Sequence, residues 1–234
     1  MTLASLTLPQ LSIALIPVLI VLIIMWHWGL RVGHALYALA RMLLQLLLIG
    51  YALIFIFQAE ASPVVLGVLA IMLLASSWIA LNTVEPGQRT ALFSASLLSI
   101  AIGGGLTLAL ISQGVLQLDP WYEPRYMIPL AGMIFANSMT SISLAADRLQ
   151  AELKNGSTPE QARFTAYQTA MIPVINSLFA VGLVSLPGMM TGQILSGVSP
   201  FIAARYQIMV MCMIFGSAGI STALFLYWGR RSHR

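Results

Sequence analysis

Ala151-Glu152-Leu153-Lys154-Asn155-Gly156-Ser157-Thr158-Pro159-Glu160-Gln161-Ala162 is almost the only long polar segment in the chain, and strongly apolar sequence flanks it on both sides. This contrast sets the fold class. With 59% apolar residues, 8% charged residues and a mean hydropathy of +0.90, the 234 residues carry too little polar surface to cover a soluble globule. The chain reads as all-α, a polytopic transmembrane helical bundle whose one long polar loop touches something soluble. Lys154, within that loop, is also the only lysine. A phosphate-binding loop needs G-x-x-x-x-G-K followed by Ser or Thr, whereas Leu153 precedes Lys154 and Asn155 follows it. If ATP drives this protein, the ATPase is another polypeptide.

A hydrocarbon core takes about 20 largely apolar residues per helix, with charges or Pro/Gly breaks between runs. About seven runs qualify: Leu11 to Trp28, Leu36 to Phe57, Val64 to Leu81, Ala91 to Ile111, Tyr126 to Ala146, Ala170 to Leu195 and Ala203 to Trp228. No basic segment precedes the first and no small-residue cleavage pattern follows it closely, so it reads as a retained span. Loop charges are lopsided. Arg31, Arg41, Arg89, Arg148, Lys154, Arg163, Arg230, Arg231 and Arg234 fall on one side, against Arg125 and Arg205 on the other. By the positive-inside rule the N-terminus is outside and the C-terminus cytoplasmic. The Lys154 loop is then cytoplasmic, and Glu60, Asp119 and Glu123 are external. Trp121, Tyr122 and Tyr126 form an outer interfacial belt, and Trp26, Trp28 and Trp228 serve the inner face. The net charge of +4 thus reports orientation and implies no nucleic-acid partner. Cys212 is alone in an apolar run, which leaves no disulfide framework to read.

The sixth run contains Leu186-Pro187-Gly188-Met189-Met190 with Gly182 and Gly192 nearby. Proline removes a backbone hydrogen bond where glycine adds freedom, so a break is expected near Pro187. Polar residues within the runs include Gln45, Asn137, Ser138, Ser141, Asn176, Ser177, Ser185 and Gln207, and each needs a partner or a wet cavity. Met133, Asn137 and Ser141 share a helical face, and Asn176 opens the sixth run. Two readings stand for this seam: a translocation path with its gate at Ser185, Pro187, Gly188 and Met189, or interhelical glue. Small residues at four-residue spacing, Ser99-Gly103-Thr107 and Gly132-Ala136-Thr140, read as close helix packing.

No Asp or Glu sits in mid-span, and only Arg41 comes close to it, which argues against an ion-coupled carrier. Arg41 snorkels to the inner interface on one reading and meets substrate on the other. Thirteen methionines, among them Met209, Met211 and Met213, read as flexible packing, because alternate residues on a helix do not converge. His27, His34 and His233 lack metal-ligand spacing, so any metal ligands are unassigned. Neither H-E-x-x-H nor G-x-S-x-G occurs, and no catalytic residue is assigned.

The cytoplasmic loop is more sharply specified. Leu149 and Leu153 continue the fifth helix, and Asn155-Gly156 stops it, glycine supplying the positive φ of a helix end. Thr158 then suits an N-cap, Pro159 the first helical position and Gln161 the third. Phe164, Tyr167 and Met171 share one face of the helix that follows. Two helices joined by a glycine turn make a knob shaped to dock in another protein's groove.

That loop resembles the coupling segment of ABC transporter permeases, through Gly156-Ser157-Thr158-Pro159, Ala162 and Pro173, although its Ala151-Glu152-Leu153 departs from the usual E-A-A triplet. Arg41-Met42-Leu43-Leu44-Gln45-Leu46 with Gly50-Tyr51, Ile128-Pro129-Leu130-Ala131-Gly132-Met133-Ile134 with Asn137-Ser138-Met139, the string Val181 to Gly192, and Arg205-Tyr206-Gln207-Ile208-Met209-Val210 resemble the FetB-type family of iron-export ABC permeases. The resemblance runs from about Leu36 to the last run, and related plant proteins are linked to aluminium tolerance. It implies a permease of the cell inner (plasma) membrane, set in the lipid bilayer as a homodimer and working with a cytoplasmic ABC ATPase subunit. ATP would be bound by that partner, with no cofactor in this chain, and iron or another metal cation would be exported. On this reading residues 1–234 form a single permease domain with a coupling loop at about 147–169, in which Gly156, Ser157, Thr158, Pro159, Phe164 and Tyr167 meet the ATPase. The alternatives are an ATP-independent carrier or channel, and an ABC permease for a nucleotide sugar.

Overall fold

The computed structural model describes residues 7–57 and 61–229. Glu60, Arg230, Arg231 and Arg234, used above for topology, and His233 lie outside the described residues. The chain divides into two compact units, Met1–Gln58 and Ala59–Arg234.

The first unit holds α1 (Leu8–Ile13), α2 (Ile16–His27) and α3 (Val32–Ile56). Pro9 and Pro17 sit in the first turns of α1 and α2, where a missing N–H costs nothing. Gly29, at φ +69°, closes α2. Neither α2 nor α3 has a buried side chain. Their length and high hydropathy suit a lipid surrounding.

The second unit contains α4 (Ser62–Ile79), α5 (Pro86–Ala109), α6 (Pro124–Lys154), α7 (Pro159–Ala180), α8 (Gly188–Leu195) and α9 (Pro200–Trp228). A π-helical turn, Leu110–Val115, extends α5. Proline in the first turn opens α4, α5, α6, α7 and α9, so the sequence itself marks where these rods begin. The unit's core is built where α5 and α6 meet α9 and where α6 meets α7. Ile100, Ala131, Ile134, Ile142, Ala145, Met213 and Phe225 are buried there, and Ala162, Ala166 and Ala170 form a fully buried ladder along α7.

Glycine sets the closest approach. A Cβ added at Gly103 would lie 2.5 Å from Ser221 Oγ and 2.8 Å from Ser221 N, and one at Gly104 would lie 2.9 Å from Ile134 Cγ2. Adjacent glycines therefore let α5 close on α9 and on α6 at one level. The Ser99-Gly103 stripe packs as expected. Its counterpart on α6 does not: Ala136 and Thr140 are exposed, and the buried stripe runs through Ala131, Phe135, Ser138, Ile142 and Ala145. Small spacing shows that a backbone can be approached but not from which side.

Among the described residues, six helices are long and apolar enough to cross a membrane: Pro9–His27, Val32–Ile56, Ser62–Ile79, Pro86–Val115, Pro124–Lys154 and Pro200–Trp228. They coincide with six of the seven apolar runs, and the protein is a multi-pass helical membrane bundle. The remaining run is divided. α7 stops at Ala180, α8 starts at Gly188, and Pro187 is the N-cap of α8. The break is thus wider than one proline. Gly182 adopts φ +84°, the N–H groups of Leu183, Val184 and Ser185 all turn back to the Ala180 carbonyl at 2.8–3.2 Å, and Gly182 N–H reaches Ser185 O at 2.9 Å. Four N–H groups of the unwound segment are so satisfied within it, as apolar surroundings favour.

Candidate functional site

The break opens a cleft of about 330 Å³ in the second unit. Met133 and Asn137 of α6, Ser177 of α7, Val181 and Ser185 of the break, Pro187, Gly188 and Met189 at the start of α8, and Gln207 and Met211 of α9 line it. Five residues expected on the path, Asn137, Ser185, Pro187, Gly188 and Met189, are brought together. Three are not. Ser141 is 2% exposed and packed one turn further along α6, Asn176 is exposed beside Ser177, and Arg41 is an exposed residue of α3 in the first unit.

The polar groups in the cleft are neutral. Asn137 Nδ2 donates to Met133 O at 2.8 Å, and Ser177 Oγ donates to Val174 O at 2.7 Å. Gln207 is only 6% exposed, and its Oε1 is buried with no hydrogen-bond partner. An unmet buried carbonyl costs roughly 1–3 kcal/mol, a cost shared among the described residues by the buried oxygens of Ser138, Gln193, Ser221 and Thr222. Gln207 was legible as a polar residue inside a span. Its place in the cleft, like that of Ser177 and Met211, depends on where the break sends the chain.

A narrower space of about 30 Å³ shares Met133 and Met189 with the cleft and is also lined by Arg125, Tyr126, Tyr206 and Met209. Among the described residues, no three His, Cys, Asp or Glu side chains gather into a metal-ligating group. Asp119 and Glu123 of the α5–α6 connection therefore form no such group with a described third carboxylate.

At its far end α6 carries the knob. Helix α6 is continuous over 31 residues to Lys154, about 46 Å at 1.5 Å per residue. Gly156 sits at φ +85°, the Thr158 side chain accepts from Gln161 N–H, Pro159 opens α7, and Ser157 Oγ donates to Glu152 Oε2 at 2.8 Å. The caps read from the residues are present. Phe164 is 65% exposed, whereas Met171 turns inward onto Val174 and Ala218, so the expected common face splits between outside and core. Tyr167 lies between: its hydroxyl is 3.2 Å from the Cβ position of Gly219 on α9.

The α4–α5 turn is fastened to this end of α6 at three levels. Thr83 Oγ1 donates to Ser143 O at 3.2 Å, Gln150 Nε2 donates to Gln88 Oε1 at 2.9 Å, and Lys154 Nζ meets Glu85 Oε1 at 2.8 Å. The lysine holds the Glu85 carboxyl below its ordinary range, chiefly through that hydrogen bond. Arg89 also reaches back, from Nε to Val84 O at 3.0 Å and from Nη2 to Asn82 O at 2.9 Å.

Comparison with known proteins agrees with the bundle. The chain is 37% identical over 215 residues to a UPF0014 membrane protein of Synechocystis, covering 86% of this chain and 83% of that one. It is 32% identical over 241 residues to the probable iron export permease protein FetB of Escherichia coli, covering 95% and 90%. To the protein ALUMINUM SENSITIVE 3 of Arabidopsis thaliana it is 34% identical over 233 residues, covering 92% and 84%. No solved structure matches the chain. The model of the uncharacterised protein family UPF0014 matches residues 8–233, and with these relatives it shows that the chain belongs to that family of membrane proteins.

Proposed function

We propose that this chain is the membrane-spanning permease subunit of an ABC transporter, exporting iron or another metal cation with energy from a separate cytoplasmic ATPase that binds the ATP. In this reading residues 1–234 act as one permease domain, paired with a second copy, with the N-terminus outside and the C-terminus inside. Binding and gating are its only chemistry.

The observation that carries the reading is the knob at the α6–α7 junction. A solvated connector needs neither a left-handed glycine nor a satisfied N-cap. A docking element needs both, because it must keep its shape under load. Exposed Phe164 then offers an apolar anchor for a groove on the ATPase, with Tyr167 beside it. One helix, α6, joins this knob to the cleft at Asn137 and Met133. The name of the Escherichia coli relative supports metal export as the task.

The test is co-purification of the chain with an ATPase, followed by hydrolysis assays with and without candidate cargo. ATP hydrolysis faster with one of a panel of metal cations than with magnesium alone, together with accumulation of that metal and peroxide sensitivity in cells lacking the chain, is the expected result. Stimulation by a nucleotide sugar, lost in Arg41→Ala and absent with any metal, would replace metal export by sugar-nucleotide transport. Transport without any ATPase would replace both by an autonomous carrier.

A further inference from the structure

Three thioethers from three separate helices line the cleft: Met133 on α6, Met189 on α8 and Met211 on α9. Met133 and Met189 also line the narrower space next to it, where Met209 joins them. Methionines two apart on α9 do diverge, as helical spacing requires, but each falls into a different one of these two adjoining spaces. The convergence comes from the fold. Only the break after α7 swings Met189 round to face Met133 and Met211 across one cavity.

We propose that this cleft holds a binding site for a soft monovalent cation of the Cu(I) or Ag(I) class, with the Met133, Met189 and Met211 sulfurs and the Gln207 Oε1 as ligands. The inference rests on the metal-permease reading and adds a cargo class to it. Three properties of the cleft select that class. First, thioether sulfur is a soft donor that prefers Cu(I)-like ions, whereas magnesium or calcium would want oxygen shells that the cleft lacks. Second, no carboxylate lines it. The cost of moving an ion from water into low dielectric grows with the square of its charge, about fourfold from one charge to two, and neutral donors cannot cancel it. Third, Arg125 lines the adjoining space, where its fixed positive charge opposes a divalent ion twice as strongly as a monovalent one. Gln207 adds an oxygen donor from the cleft lining, with a buried carbonyl oxygen that no protein donor matches.

Silver titration of the purified full-length protein, against a competing chelator, tests this. The exposed Cys212 would bind silver by itself, so every variant is made in a Cys212→Ser background. The parent should retain one Ag(I) per chain. Met133→Leu, Met189→Leu and Met211→Leu should each weaken retention by at least the roughly tenfold that loss of even an outer-shell partner brings. The triple variant should abolish it, and Met42→Leu, exposed on α3, should leave it intact. Leucine nearly conserves methionine's volume, so these variants keep the packing. Gln207→Leu separates ligand from scaffold: silver affinity should fall while the melting temperature holds or rises, because an unmet polar atom has been removed. Absence of silver from the parent, unchanged retention in the triple variant, or displacement of silver by equimolar ferrous iron would each overturn the proposal. Failure of the permease reading appears elsewhere, as failure to co-purify with an ATPase, and silver retention measured on the chain alone is independent of it.

Discussion

Gly103 and Ser221 make the closest approach found at any described glycine, because a Cβ on the glycine would sit 2.5 Å from the serine Oγ and 2.8 Å from its backbone nitrogen. A side-chain tip could move aside, but a backbone atom moves only with its helix. Gly103→Ala should therefore push α5 off α9 and cost about 1–3 kcal/mol, the usual range for overpacking. Thermal unfolding in detergent measures it. Gly105→Ala, two residues on with nothing within 4 Å of the added methyl, should instead gain about 0.5–1 kcal/mol from helix propensity. Equal melting temperatures for the two variants would refute the crossing.

The Glu85–Lys154 pair should leave a pH signature. Because Lys154 depresses the folded-state pKa of Glu85, the pair's stabilisation is fully present above the ordinary carboxylate pKa and is lost as pH falls through the lowered value. Both groups are exposed, so the effect is small and salt-screened. A melting-temperature profile of wild type against Glu85→Gln should show a gap at neutral pH that closes in acid and in high salt. A gap that persists in acid would assign the difference to packing.

At the knob, Gly156 has open space around its Cβ position, so only its backbone conformation matters. Gly156→Val should strain the left-handed turn by about 1–2 kcal/mol and uncouple ATP hydrolysis from transport while the protein still inserts. Gly156→Asn, which tolerates that conformation, should keep most coupling. Unchanged ATPase binding and transport in the valine variant would show that the knob is not the contact.

The break offers a second handle. Pro187→Ala with Gly188→Ala should let α8 extend backward and trap one access state, because a hydrogen bond returns and a flexible point is lost. No neighbour lies within 4 Å of a Cβ added at Gly188, so the variant should fold. Cysteine-accessibility labelling at Ser185 reads the change in access. Wild-type transport and labelling would make the break a packing feature.

For topology, a reporter fused after Arg234 should be cytoplasmic and one inserted between Glu60 and Pro63 external. Opposite labelling of either site would reject the orientation drawn from the arginine and lysine count.

The helices were legible because their ends are written in local chemistry: proline at Pro86, Pro124, Pro159 and Pro200, the Thr158 cap, and the Gly156 turn. The break was legible for the same reason. Composition around Pro187 announced it, though not that the helix would already end at Ala180 or that Gly182 would carry the left-handed turn. The cleft was half legible. Asn137 was in view as an amide inside a span, Pro187 and Gly188 as a helix break, and Ser185 and Met189 as the residues beside that break. Ser177 was in view only as a polar residue needing a partner and Met211 only as packing, since a methionine or serine in such a helix is ordinary until a neighbour across a cavity gives it a use. Phe164 and Met171 share a helical arc by spacing, yet only one is covered, because spacing fixes direction and the partner helix fixes burial.

The three fastenings along α6 also determine how a displacement would travel. Sliding α6 by a single residue past the α4–α5 turn is a shift of 1.5 Å, which would lengthen transverse hydrogen bonds of 2.8 to 3.2 Å to about 3.2–3.5 Å and so weaken those at Ser143, Gln150 and Lys154 together. On the proposed function, a push at Gly156 would meet resistance to slipping at three points, and the helix would carry it as a rod to Asn137 and Met133, about 25 and 32 Å from Lys154 and lining the same cleft as the break.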